Sequence, residues 1–488
     1  MNNSKLVNVL RTFSKNEMKE FEKLISSPFF NKGRNYLPFF KEVKKFYPEF
    51  DNEKMTDEYI FFKLYPGKKF NKQIIWNMTS SVLNMAEEFL IHVSLKKNPF
   101  EKNRCVAGEL FNRKLSGYFF KKLSEMEKAL DRMEINDNYF SYKMLLEGDK
   151  SDYHFFEDNQ HLIDNILSKK GGFTIVNFLK NISGIISDMN SNIFMFNAKF
   201  DFNLPYEFIR NLQLENIIEY ARKKNYQYAP IMEMYYCYIM TVMKAQETVY
   251  FFRLKKLFEE NYYKFDTEAN HIWVNALSNY CSIKLTGGDH SNNFNKIQFE
   301  INKFQLEKGI AFPEQNPSKI LFIQILKNAL SVNETEWAKH YIEEYAPMLR
   351  AATHKPMRAL GYAYLYLKLK DYGKVIENLG KVKFKDVRDK LNVRSLYIMT
   401  YYELNDIEML LYQIDSARHF INKNPALSEA ISKNYNIFLS NINKLLAAKQ
   451  NYDDLEINLL RDTFDKDKIL FFRDWLIEKI DEIKHIHK

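Results

Sequence analysis

Apolar residues recur every three to four positions through most of the chain, the spacing of helices that each bury one face. Ser14 followed by Glu17 is a capping box, and Met18, Phe21, Leu24 and Ile25 then predict a helix over 15–26. Pro28 ends it in the loop Ser26-Ser27-Pro28-Phe29-Phe30-Asn31-Lys32-Gly33, whose two phenylalanines need a docking surface. Further helices are expected over 35–47, stopped by Pro48; over 57–65, capped by Thr56 and closed by Pro66-Gly67; and over 71–95, with Ile74, Ile75, Met78, Val82, Met85 and Phe89 on one stripe. These make a helical module of residues 1–100.

Residues 101–204 continue as amphipathic stretches, with breaks expected at Asn136-Asp137-Asn138, Glu147-Gly148-Asp149 and Gly171-Gly172. Helical hairpins follow over 206–222, 229–244, 247–262, 268–285 and 291–308. Residues 205–464 are read as one hairpin array, clearest over 310–445. A closing helix over 466–486, capped by Asp465, carries Ile469, Phe472, Leu476, Ile480 and Ile483 on its apolar face and forms a capping segment, 465–488.

Setting the chain against itself at a shift of 35 aligns Ile325 with Leu360 and Ser395, Ala329 with Tyr364 and Met399, Glu336 with Asp371 and Asp406, Trp337 with Tyr372 and Ile407, and Tyr341 with Ile376 and Leu411. This period resembles the tetratricopeptide repeat, in which two-helix units stack because neither can bury its apolar face alone. The unit Pro356–Phe384 is the most similar, with Ala363 as the small packing residue, Tyr366 one turn on and Asp371-Tyr372-x-Lys374 opening the second helix; Val375 replaces the usual alanine and the closing proline is missing. Separately, Leu10 to Lys32 with its S-P-F-F-N-K loop, and Leu64-Tyr65-Pro66-Gly67-Lys68-Lys69-Phe70-Asn71, resemble the amino-terminal region of an uncharacterised helical protein family of Bacteroidota. That resemblance implies a helical module and no activity. The fold expected is therefore all-α: a helical amino-terminal module followed by an α-solenoid of degenerate tetratricopeptide-like hairpins.

Composition agrees. Only 14 glycines and 12 prolines occur in 488 residues, too few for the turns of a β-rich chain of this length. Cys105, Cys237 and Cys281 are far apart and odd in number, which predicts free buried thiols in a reducing compartment. Met1 leads into the amphipathic stretch Leu6–Phe13, with no apolar signal core. The longest apolar run, Ile231–Met243, contains Glu233 and is too short to cross a bilayer. A cytoplasmic protein is expected, without membrane contact.

The net charge of +9 is uneven: residues 1–100 hold 17 Lys/Arg against 11 Asp/Glu, leaving +3 for the rest. Lys44, Lys45, Lys68 and Lys69 lie near Phe46, Tyr47, Tyr65 and Phe70, a mixture that can neutralise phosphates and stack bases. Lysine outnumbers arginine, and no helix-turn-helix signature accompanies it. No Walker loop, dinucleotide fingerprint, zinc spacing or nucleophile elbow is present. Gly287-Gly288-Asp289-His290 reads as a linker, His485-x-His487 as a frayed tail, and Asp462, Asp465 and Asp467 as helix caps without the glycine and glutamate of a calcium loop. No catalytic, cofactor or metal site is assigned.

The function expected is a non-enzymatic protein–protein interaction scaffold; the alternative is a nucleic-acid-associated factor using the four lysines. The repeat register places Met357, Leu360, Tyr364 and Lys368 of one unit, and Ser395, Met399 and Tyr402 of the next, on the face that meets a protein partner. A second arrangement fills that face with the chain's own last helix.

Overall fold

The Ser14 hydroxyl accepts from the Glu17 amide at 3.2 Å while the Glu17 carboxylate accepts from the Ser14 amide at 2.8 Å, so the capping box forms as the sequence specifies. The computed structural model describes the chain apart from residues 32–33, 157–158, 197, 287–292, 313–317, 385, 425–426, 428, 467–469 and 487–488. The Gly287–His290 linker, Lys32, Gly33, Asp467, Ile469 and His487 therefore lie outside the described residues.

Helix accounts for 78% of the chain. Among the described residues the extended pairing is a single parallel bridge, Ile135 to Phe265. The chain divides into two compact units, Met1–Met133 with Ser141–Phe173, and Glu134–Phe140 with Thr174–Lys488. The first begins with α1 (Lys5–Arg11), α2 (Lys15–Ser26), α3 (Leu37–Lys44), α4 (Asp57–Leu64) and α5 (Lys72–Lys97). These five close over one apolar cluster, in which Phe21 meets Phe13, Phe40 and Phe89 at 5.6, 5.1 and 5.5 Å between ring centroids. Thr56 and Asn71 cap α4 and α5 through their side chains. Of the two loop phenylalanines, Phe30 packs edge-on against His92 at 5.5 Å and Phe29 stays 72% exposed.

Next come α6 (Pro99–Asn112), α7 (Ser116–Asp131), α8 (Tyr139–Phe156) and α9 (Ile163–Phe196). Here two expected breaks are corrected. Glu147-Gly148-Asp149 lies inside α8 and Gly171-Gly172 inside α9. In α8 the polar residues have partners: Glu147 pairs with Lys150 at 2.9 Å and Asp149 with Arg104 at 3.0 Å. In α9 the buried stripe Phe173, Val176, Leu179, Ile182 and Ile186 outweighs the glycine penalty of about 1 kcal/mol per residue.

The second unit continues with α10 (Leu204–Asn211), α11 (Leu214–Lys223), α12 (Ala229–Met243), α13 (Thr248–Asn261), α14 (Thr267–Thr286) and α15 (Phe294–Glu307). Over 206–222 the chain forms the end of α10 and most of α11, parted where Leu212 adopts an extended backbone. The last nine are α16 (Lys319–Ser331), α17 (Thr335–Tyr345), α18 (His354–Lys368), α19 (Tyr372–Gly380), α20 (Val387–Glu403), α21 (Ile407–Asn422), α22 (Glu429–Gln450), α23 (Asp454–Lys466) and α24 (Arg473–Ile486), and all contribute to one apolar core. The closing helix expected over 466–486 is corrected: it begins at Arg473, and Lys466 ends α23. Asp465 is no cap: it sits within α23, pairing with Arg461 at 3.2 Å and Arg473 at 2.9 Å. Asp462 likewise lies inside α23. Phe472, at φ 56°, turns the chain into α24.

Cys237 and Cys281 are buried, and burial pushes both thiols up to about 12; Cys105 is exposed, contrary to expectation. No helix among the described residues is long and apolar enough to cross a membrane.

Candidate functional site

Three consecutive helix pairs, α16 with α17, α18 with α19 and α20 with α21, carry the expected partner face, and α18 packs on both α16 and α20. Each pair turns through one residue in the left-handed region: Asn333, Lys370 and Asn405, at intervals of 37 and 35. The side chains of Asp371 and Asp406 then cap α19 and α21, accepting from the Lys374 and Met409 amides at 3.2 and 3.1 Å.

The first helices keep the 35-residue register. Ile325, Leu360 and Ser395 are all buried, as are Ala329, Tyr364 and Met399. The second helices do not. α18 has 15 residues where α16 has 13, so everything after it moves by two. The buried equivalents are Ala338, Val375 and Leu410, then Ile342, Leu379 and Ile414, whereas Trp337, Tyr372 and Ile407 are half-buried. Aligning Trp337 with Tyr372, Tyr341 with Ile376, and Glu336 with Asp371 is corrected accordingly. Gly361, which the sequence reading passed over, lies in α18 tight against its neighbours: a Cβ there would stand 3.1 Å from Ile342 and 3.4 Å from Leu326.

Met357, Leu360, Tyr364, Ser395, Met399 and Tyr402 are buried, and only Lys368 of the expected partner residues is exposed. The chain's own carboxy-terminal helices meet this face at Tyr402. From α24, Trp475 meets the Tyr402 ring edge-on at 5.3 Å. From α22, the Lys449 ammonium lies 5.5 Å above Tyr402, and the Tyr435 hydroxyl donates to Asn392 Oδ1 of α20 at 3.5 Å. Burial pushes the Tyr402 hydroxyl up to about 12, with the charge of Glu403 adding to it.

A polar clasp that sequence reading did not find fixes α24. The indole N–H of Trp475 donates to Glu403 Oε1 at 2.8 Å, and Lys479, with 2% of its side chain exposed, pairs with Glu403 at 2.7 Å and Glu482 at 2.8 Å. Lys370 reaches Glu482 at 3.5 Å. Burial alone would lower the pKa of Lys479, but the hydrogen bonds it donates to Glu403 and Glu482 outweigh it and hold the ammonium above its ordinary range. The only sequence signal was Trp475 and Lys479 one turn apart on an otherwise apolar face.

The four amino-terminal lysines differ among themselves. Lys44 pairs with Glu22 at 2.5 Å and Lys45 with Glu42 at 2.7 Å. Lys68 and Lys69 are exposed, Lys68 lying 5.4 Å over the Tyr65 ring. Beside them Lys72 lies 4.8 Å over Trp76, a ring 53% exposed. Among the described residues no group of three or more His, Cys, Asp or Glu is placed to hold a metal ion. Set against family models, curated proteins and solved structures, the chain matches none.

Proposed function

We propose that the protein is a non-enzymatic interaction scaffold, built on a solenoid of tetratricopeptide-like hairpins, whose partner is a protein helix. The observation that supports this reading is the seating of α24. An amphipathic helix is seated against the end of α20, apolar residues inward, with Trp475 against Tyr402 and both Trp475 and Lys479 held by Glu403. A groove that accepts a helix from its own chain has the chemistry to accept a similar helix from another. Capture then requires exchange: the partner helix competes with α24.

The test is a Trp475→Ala/Lys479→Ala variant, which unseats α24, used as bait beside the unaltered chain in affinity purification with mass spectrometry. The reading expects proteins retained by the variant and displaced by excess synthetic peptide of residues 470–488. Retention unaffected by that peptide rejects it.

A second reading, contact with single-stranded nucleic acid through the amino-terminal module, is supported by the exposed lysine–aromatic pairs Lys68 over Tyr65 and Lys72 over Trp76. Because Glu22 and Glu42 offset Lys44 and Lys45, the free charge rests on Lys68 and Lys69. Reversing those two to glutamate should weaken oligonucleotide binding and flatten its salt dependence. Unchanged affinity removes this reading.

A further inference from the structure

Between α16, α20, α22 and the Phe471-Phe472 corner lies a cavity of about 320 Å³, the lower end of the range for small-molecule sites. Leu391, Ile431, Tyr435, Phe471 and Phe472 make most of its wall, so its character is apolar. Two polar groups interrupt that wall. Lys327 brings an ammonium to 4.7 Å from the Tyr364 ring centroid and 5.8 Å from that of Phe472, and among the described residues it has no carboxylate partner. Asn392 accepts from the Tyr435 hydroxyl at 3.5 Å through Oδ1, which leaves its amide N–H groups to donate. Beneath Lys327, the Tyr364 side chain is 7% exposed, and its hydroxyl is buried with no hydrogen-bond partner.

A lone cation beside an orphaned hydroxyl in apolar surroundings costs stability unless something compensates it. Stacking over Tyr364 offsets part of the charge but satisfies none of the ammonium's N–H donors. Lys327 keeps part of its side chain exposed, yet the protein atoms crowding its amine push it down to about 8. The neighbouring titratable groups do not supply a counter-charge. Tyr364 and Tyr435 are held protonated by burial, Arg394 is a cation lowered by burial, and Asp389 is already paired with Lys319.

From this geometry we infer that the cavity is a binding site for a small apolar monocarboxylate. The carboxylate would accept from the Lys327 ammonium and the Asn392 amide, and an aliphatic or aromatic body would lie against Leu391, Ile431, Phe471 and Phe472. One negative charge matches one cation. A phosphate dianion would bring a second charge with no cation in the lining to match it, and a neutral ligand would leave the ammonium as it is.

The test is calorimetric titration of the full-length protein with hexanoate and phenylacetate, beside hexanol and benzyl alcohol as neutral counterparts. Hexanoate alone binding marks a fatty-acid site and phenylacetate alone an aromatic-acid site; either supports the inference. Binding of an acid should weaken at least tenfold in Lys327→Met. It should also fall roughly tenfold per pH unit above about 8 in the unaltered protein, where the free amine loses its proton, and stay flat from pH 7 to 9 in Lys327→Arg, whose guanidinium keeps its charge. Thermal melting reads out the same charge without ligand: Lys327→Met should melt no lower than the unaltered chain, because it removes an unpaired cation and keeps the volume. The inference is overturned if neither acid binds, if the alcohols bind equally well, or if Lys327→Met binds the acids unchanged.

Discussion

Tyr341 stands in a run of stacked rings, 5.1 Å from Phe322, 5.1 Å from Trp337 and 5.0 Å from Tyr345, and only 2% of it is exposed. Trp337 is the larger side chain but only half-buried. Replacing Tyr341 with alanine should therefore cost about 3–5 kcal/mol in urea denaturation, and Trp337→Ala less than half of that. The reverse order would restore the uniform 35-residue register. Gly361→Val is expected to destabilise by about 1–3 kcal/mol, since its Cβ would meet Ile342 at 3.1 Å within a filled core. A melting temperature unchanged by that substitution would show that the helices yield. What the sequence displayed at this scale was part of the set of caps: Ser14, Thr56 and Asp371 act as read, whereas Asp462 and Asp465, also read as caps, lie inside α23. The two-residue slip was hidden because the left-handed turn falls on Asn333 and Asn405, residues that favour it, but on Lys370 in between, which gives no such sign.

α24 is an element whose burial was legible and whose beginning was not. Leu476, Ile480 and Ile483 are buried as their spacing requires, while the left-handed Phe472 and the ion-paired Asp465 moved the start from 466 to 473. Its polar clasp gives an uneven pair of mutational costs. Glu403→Leu removes the acceptor shared by Trp475 and Lys479 and should destabilise by about 3 kcal/mol, the cost of unpairing a buried charge. Lys479→Met should cost less, because Glu403 keeps the Trp475 indole and the Tyr372 hydroxyl. Equal costs in equilibrium unfolding would contradict the shared-acceptor geometry. The clasp also sets a pH window. Burial tends to raise Glu482, but Lys479 and Lys370 outweigh it and hold the carboxyl below its ordinary range. Its contribution is complete above the unfolded carboxylate pKa and is lost as pH falls through the depressed folded value. That of Lys479, whose folded pKa is raised, is complete below the unfolded lysine pKa and lost only as pH climbs past the folded one. Glu482→Gln should accordingly lower stability more at pH 7 than in acid, where the carboxyl protonates; equal losses at both would show that the carboxylate plays no part.

For the whole molecule, the glycine and proline deficit and the helical period were enough to indicate an all-helical chain, because helices need few left-handed turns. The same reading brought Met357, Leu360, Tyr364, Ser395, Met399 and Tyr402 onto one face, but whether that face is open could not be read locally. It depends on where a helix some seventy residues beyond Tyr402 docks, a long-range contact that no short pattern encodes. The central claim is that α24 docks in cis against the end of α20, at Tyr402 and Glu403. The most direct measurement is thermal melting of the chain ending at Phe472, with and without a synthetic peptide of residues 473–488. The account predicts that the shortened chain melts lower than the full one and regains the difference when the peptide binds. A shortened chain that melts with the full one and ignores the peptide would contradict it.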